Sequence, residues 1–177
     1  MNKTGLVHIY YGKGKGKTTS ALGIALRAWG WGRKIIIFQF FKPKSLPSGE
    51  VKAVEKLGRE IKIVRFGYKH PLFCKKIERK KVKLALDKFL KEIKCEIEQE
   101  DYDLIILDEI LNAVDSGLVS EKVIIDLMKQ KPKATELILT GRPFIDKLKK
   151  YADYISEIKE IKHPFQRGIK ARKGIEY

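Results

Sequence analysis

Cysteine and histidine are scarce in this sequence, and its acids are outnumbered by its bases. Two cysteines, Cys74 and Cys95, lie too far apart for a CxxC pair and are too few for a disulfide framework, which leaves them as reduced structural thiols. The three histidines fall in no His, Cys, Asp and Glu cluster with the spacing of a structural zinc site. No run of about 18 uncharged apolar residues exists, which excludes a spanning helix. Met1 is followed by polar residues and a strand, not by a charged start and an apolar signal stretch. A cytoplasmic protein with no membrane partner is the expectation. Acids are outnumbered, 22 Asp and Glu against 38 Lys and Arg, giving a formal charge of +16. Such a surface attracts nucleotides, nucleic acid and acidic partners alike, and charge alone does not choose among them.

The 177 residues, 44% of them apolar, suit one compact α/β domain over 1–177, with no linker and no internal repeat. Residues 5–11 (GLVHIYY) favour a strand, and 18–31 return to helical spacing through Ala21, Leu22, Ala25, Leu26 and Trp29. Further strands are expected at 34–40, 61–66, 103–107, 136–140 and 154–161. Helices are expected near 50–57, 121–129 and 144–151. From 77 to 97 the apolar residues Val82, Ala85, Leu86, Phe89, Leu90, Ile93 and Ile97 recur at intervals of three and four, the mark of one face of a long helix. The runs DLIIL and ELILT read as strands buried on both faces of a parallel sheet. Alternating strands and helices predict a doubly wound, mostly parallel sheet with helices on both faces and ligands at the carboxyl ends of its strands.

Between the first strand and the first helix lies Gly12-Lys13-Gly14-Lys15-Gly16-Lys17-Thr18-Thr19. Glycines there let backbone N–H groups converge on phosphate oxygens, the helix N-terminus adds partial positive charge, Lys17 reaches the phosphates and Thr18 is placed to bind magnesium. The usual first glycine position is occupied by Tyr11, so the loop is one residue short. Lys17 in the slot of a third glycine excludes the dinucleotide fingerprint. The alternative is a flexible basic turn, which leaves the register of strand, glycines, Lys-Thr and helix unexplained. A second element agrees: the apolar strand 104–107 ends in Asp108-Glu109, as in a Walker B strand whose carboxylates face the loop and hold the metal directly or through water. Gln39 and Lys42, at the end of the second strand, and Arg142, at the end of another, are candidate ligand contacts. His8 reads as strand packing and His163 as structural, with a direct ligand role as its alternative. One of Trp29 and Trp31 is expected to pack on the core and the other to sit on the surface.

A P-loop fixes the ligand and leaves the reaction open. The shortened loop GKGKGKTTSALG (12–23), IIIFQFFK (35–42) followed by Ser48-Gly49-Glu50, YDLIILDEI (102–110), LILTGR (137–142) and ADYISEIKEIKHPFQRGIKARKGIEY (152–177) resemble the P-loop ATP:corrinoid adenosyltransferases, in that family's order. The resemblance implies a RecA-like P-loop NTPase fold. It implies transfer of the 5′-deoxyadenosyl group of ATP to Co(I) of cobalamin or cobyrinic acid a,c-diamide, with release of triphosphate. ATP would be co-substrate and magnesium, or manganese in its place, the metal. Lys17 and Glu109 would be catalytic, residues Gly12 to Thr19 with Gln39, Lys42 and Arg142 would hold nucleotide, and Thr18, Asp108 and Glu109 would hold metal. Partners would be a Co(I) corrinoid, a flavoprotein or other reductant, and a second copy in a homodimer, with no role for nucleic acid. The 5′ end of the triphosphate must face the corrin, a nucleotide pose unlike that of P-loop kinases.

The chain departs from the family pattern at 67–81, where relatives carry a Trp-containing segment near the corrin and this chain has Tyr68, His70, Pro71 and Phe73. The basic run Lys75 to Lys83 reads as the solvated start of the long helix. Pro143-Phe144 replaces the usual polar start of a helix, and with the first strand starting near residue 5 an N-terminal extension covering the site is not expected. Two alternatives follow: a P-loop ATPase that binds nucleic acid, suggested by the charge, and a non-catalytic ATP- and corrinoid-binding relative, suggested by 67–81.

Overall fold

In the computed structural model, which describes residues 4–43, 45, 47–69, 76–99 and 101–176, six strands form one sheet. The strands are β1 (Val7–Tyr11), β2 (Ile35–Gln39), β3 (Ile61–Arg65), β4 (Leu104–Asp108), β5 (Glu136–Gly141) and β6 (Tyr154–Glu157). Their order is β3-β2-β4-β5-β1-β6, and every pairing is parallel. Among the described residues five α-helices cover the sheet: α1 (Lys17–Gly30), α2 (Gly49–Leu57), α3 (Lys76–Glu98), α4 (Ile110–Asp115) and α5 (Glu121–Gln130).

Alternation along each strand divides the apolar residues between two cores. Ile35, Ile37, Leu104, Ile106 and Ile138 face Ala21 and Ala25 of α1, with Val54 and Leu57 of α2 packed behind. Ile36, Phe38, Ile105, Leu107, Leu137 and Leu139 face the other way. They meet Leu86, Phe89 and Ile93 of α3, Ile110 and Leu111 of α4, and Ile124 and Leu127 of α5. Each such side chain removed from water contributes about 1.5–3 kcal/mol relative to exposure. The continuous apolar strands are therefore buried because helices cover both faces, as parallel sheets require.

Four sequence expectations shift. The helix expected at 144–151 is a 3-10 turn over Asp146–Tyr151, which follows Pro143. α4 and a second 3-10 turn, Pro164–Arg167, were not foreseen. β6 stops at Glu157 and not at residue 161, because the backbone at Ile158 turns to receive the N–H of Gly14. His8 is more than packing: it pairs with Glu136 and stacks on Tyr154 with ring centroids 4.5 Å apart. Trp29 donates to Leu57 O while Trp31 is exposed, matching the expected division between them. His70, Pro71, Phe73, Cys74 and Lys75 lie outside the described residues, as does Tyr177.

Candidate functional site: the carboxyl end of the sheet

The turn from β1 to α1 forms one wall of a cleft of about 760 Å³, which Lys13 to Thr19 line together with Lys42, Glu50, Glu109 and Arg142. The opposite wall comes from the C-terminal segment, through His163, Phe165 and Glu176. The loop's glycines serve packing as well as phosphate access. A Cβ on Gly12 would sit 2.4 Å from Ile158 O, and one on Gly14 2.6 Å from Lys159 O. Gly12 and Gly16 also have φ of +118° and +120°, a region that L side chains rarely adopt. Gly12 N donates to Arg142 O at 3.0 Å and Gly14 N to Ile158 O at 2.8 Å, so the loop is tied to the ends of β5 and β6.

Lys17 opens α1, is buried, and donates to Gly14 O at 2.7 Å. Burial lowers its pKa below the ordinary lysine value, opposed by Glu109 and Asp108 and assisted by Arg142. Lys15 reaches across the cleft to Glu176 at 3.2 Å. Glu176 is also held by Arg172, whose hydrogen bonds bring its carboxyl down to about 2.

Asp108 is the hub, and it is 1% exposed. Its Oδ1 accepts from the Thr18 and Thr140 hydroxyls, each at 2.8 Å. Its Oδ2 accepts from Lys42 Nζ at 2.8 Å and from Gln39 Nε2 at 3.4 Å. Register explains the meeting: Arg65, Gln39 and Asp108 stand in one row across β3, β2 and β4. Arg65 Nε donates to Gln39 Oε1 at 3.1 Å, which points the Gln39 amide nitrogen at Asp108. Lys42 follows Phe41, whose φ of +55° turns the chain at the strand end. It lies 3.6 Å from Glu50 on α2 as well.

Glu109 takes a different direction from its neighbour. Its backbone is left-handed, with φ of +69°, its N–H donates to Thr140 Oγ1 at 2.8 Å, and its carboxylate accepts from Asn112 Nδ2. Burial raises the Glu109 pKa and Asp108 adds to the rise, while Lys42, Lys17 and Arg142 oppose it. Asn112 then accepts from the Arg142 N–H at 2.8 Å. The structure thus brings Lys13 to Thr19, Lys42, Glu109 and Arg142 to one cleft, with Gln39 and Asp108 buried beneath it. Sequence reasoning missed Thr140, Asn112, Arg65 and Glu50 as members. Thr140 had a signal, a polar residue ending an apolar strand, and so had Asn112, three residues after Glu109 on a new helix. His163 Nδ1 accepts from Phe165 N at 3.2 Å and caps a turn, and the same residue lines the cleft.

A parallel sheet with a glycine loop between its first strand and helix, and a buried acid from β4 on the loop's threonine, defines a P-loop nucleotide-binding protein. Its fold is RecA-like: a KaiC-like protein from Pyrococcus horikoshii OT3 superposes with a TM-score of 0.59, covering 90% of this chain and 75% of that one, at 18% identity. The chain belongs to the ATP:corrinoid adenosyltransferase family, BtuR/CobO/CobP, whose sequence model matches residues 3–177. The corrinoid adenosyltransferase of Escherichia coli K12 is 30% identical over 177 residues, spanning 100% of this chain and 88% of that protein. Corrinoid adenosyltransferase CobA of Salmonella typhimurium LT2 is 30% identical over 185 residues, with the same coverage of each.

Proposed function

We propose that the protein transfers the 5′-deoxyadenosyl group of ATP to the Co(I) centre of a corrinoid and releases inorganic triphosphate. Membership of the family carries the reaction, and the convergence of Lys13, Lys15, Lys17 and Arg142 on one cleft is the observation on this chain that supports it. The cobalt electron pair forms a bond to C5′ while the C5′–O5′ bond breaks, and its electrons pass to the departing triphosphate. Co(I) is thereby oxidised to an alkyl-Co(III) corrinoid. No side-chain nucleophile is needed, so the protein's work is to position two substrates and stabilise charge on the leaving group.

Lys17 leaves Gly14 O for the triphosphate, with the loop N–H groups around it. Lys42 and Arg142 approach the same charge from the ends of β2 and β5. Hard oxygen donors at Thr18 and Asp108, 2.8 Å apart, fit magnesium, with the Glu109 carboxylate as a third oxygen donor in the same cleft. The chemistry that magnesium supplies when bound is neutralisation of triphosphate charge. Tyr68, partly exposed and 5.2 Å from the Phe66 ring, is one aromatic group this chain offers where relatives carry the Trp-containing segment. A cytoplasmic location, a homodimer and a flavoprotein or other reductant complete the reading; among the described residues no helix is long and apolar enough to cross a membrane.

The test is to mix the protein with ATP, magnesium and chemically reduced corrinoid and follow the visible spectrum. Formation of adenosylcorrinoid, lost in Lys17→Ala, is expected. ATP binding without product would return the protein to a non-catalytic role, and hydrolysis stimulated by DNA or RNA would favour a nucleic-acid ATPase.

A further inference from the structure

Asp108 has no oxygen to spare. Thr18 and Thr140 occupy Oδ1, and Lys42 and Gln39 occupy Oδ2, all within the protein. A carboxylate this deeply buried requires a compensating charge, and Lys42 supplies a full one at 2.8 Å. A divalent ion approaching Asp108 would meet that ammonium first. The ammonium has a second partner ready: Glu50 lies 3.6 Å from Lys42 Nζ, and Gln39 Nε2 bridges the two acids at 3.4 Å from each.

We infer that Lys42 is a built-in cation that keeps divalent metal out of the nucleotide-free site and yields Asp108 only when the triphosphate arrives. The triphosphate offers both what the exchange needs: anionic oxygens to receive the ammonium, and oxygens to share the metal. Metal then enters with the nucleotide and not before it, and Glu50 holds Lys42 near its new position. This inference rests on the metal site proposed above at Thr18 and Asp108. Lys42 is thus a specificity-determining residue, which sets the order of binding in addition to contacting phosphate.

Manganese serves as the probe, followed by water-proton relaxation, which separates protein-bound Mn²⁺ from free Mn²⁺ and from MnATP in solution. Wild type is expected to bind Mn²⁺ only when ATP is present. Lys42→Met is expected to bind Mn²⁺ without nucleotide at least tenfold more tightly than wild type, and Lys42→Met combined with Asp108→Asn is expected to lose that gain. Lys42→Gln gives the same reading if the methionine variant folds poorly. If wild type binds MnATP but both Lys42 variants match wild type without nucleotide, the inference is overturned and the metal site stands. If wild type shows no protein-bound manganese even with ATP, the metal site fails and the inference with it.

Discussion

At the amino end of the sheet, Glu136 accepts the Leu6 N–H at 2.8 Å and pairs with His8, while Asp153 accepts the Val7 N–H at 2.8 Å. Nearby, Asp103 accepts from Arg33 and from the Lys34 N–H, and Lys131 donates to Gly5 O. Each of these acids meets one or two donors within the protein. At the carboxyl end Asp108 is equally well partnered, yet Lys13, Lys15, Lys17, Lys42 and Arg142 all border one open cleft together with four carboxylates, Glu50, Glu109, Glu160 and Glu176. The two ends use the same residue types. What separates them is that one closes on itself, whereas the other turns the loop lysines, Lys42 and Arg142 toward one cleft, an arrangement that suits a polyanion.

Substitutions at the carboxyl end should therefore change ligand binding more than stability, and those at the amino end the reverse. Lys17→Ala gives the largest effect: adenosyl transfer falls about 10²- to 10³-fold, the loss seen when one preorganised charge-stabilising donor is removed, with the circular dichroism spectrum unchanged. Gly14→Ala crosses the divide, because its Cβ would meet Lys159 O at 2.6 Å. It should cost about 1–3 kcal/mol in denaturant unfolding and weaken ATP binding together, since the loop and the end of β6 shift as one. His8→Ala should lower stability by about 1–2 kcal/mol through its lost pairing with Glu136, while the Kd for ATP measured by calorimetry stays at the wild-type value.

Glu109→Gln is the smallest and the most diagnostic of the three charge-related changes. Burial holds the Glu109 pKa above its ordinary 4.5, so the folded state binds that proton more tightly than the unfolded state does. Its favourable contribution is complete below pH 4.5 and is lost as pH rises through the folded value. At neutral pH the ionised group therefore burdens the fold. The variant should show a higher Tm than wild type at neutral pH, a difference that closes as pH falls toward 4.5, in scanning calorimetry without ligand.

The same contrast explains what could be read from the sequence. The phosphate loop was legible because local chemistry specifies it: glycines, Lys17 and Thr18 act within eight residues of one another. Asp108 was legible as a polar residue that ends a run of four buried apolar ones. How Arg65, Gln39 and Asp108 meet was not, because they become neighbours only through the register of β3, β2 and β4, and nothing in one strand states its pairing. α4 escaped because six residues give too short a window for a helical period. The end of β6 was misplaced for a tertiary reason: the Ile158 carbonyl takes the Gly14 N–H of the phosphate loop and the backbone of Ile158 and Lys159 packs on Gly12 and Gly14, although residues 158–161 keep a strand-like sequence.

Phosphorus NMR of the products under single turnover, with Co(I) corrinoid, ATP and magnesium, tests the central claim most directly. Transfer to cobalt predicts intact inorganic triphosphate in a one-to-one ratio with adenosylcorrinoid, because the bond that breaks is C5′–O5′. ADP with phosphate, formed whether or not the corrinoid is reduced, would contradict it and make this loop an ordinary hydrolase site.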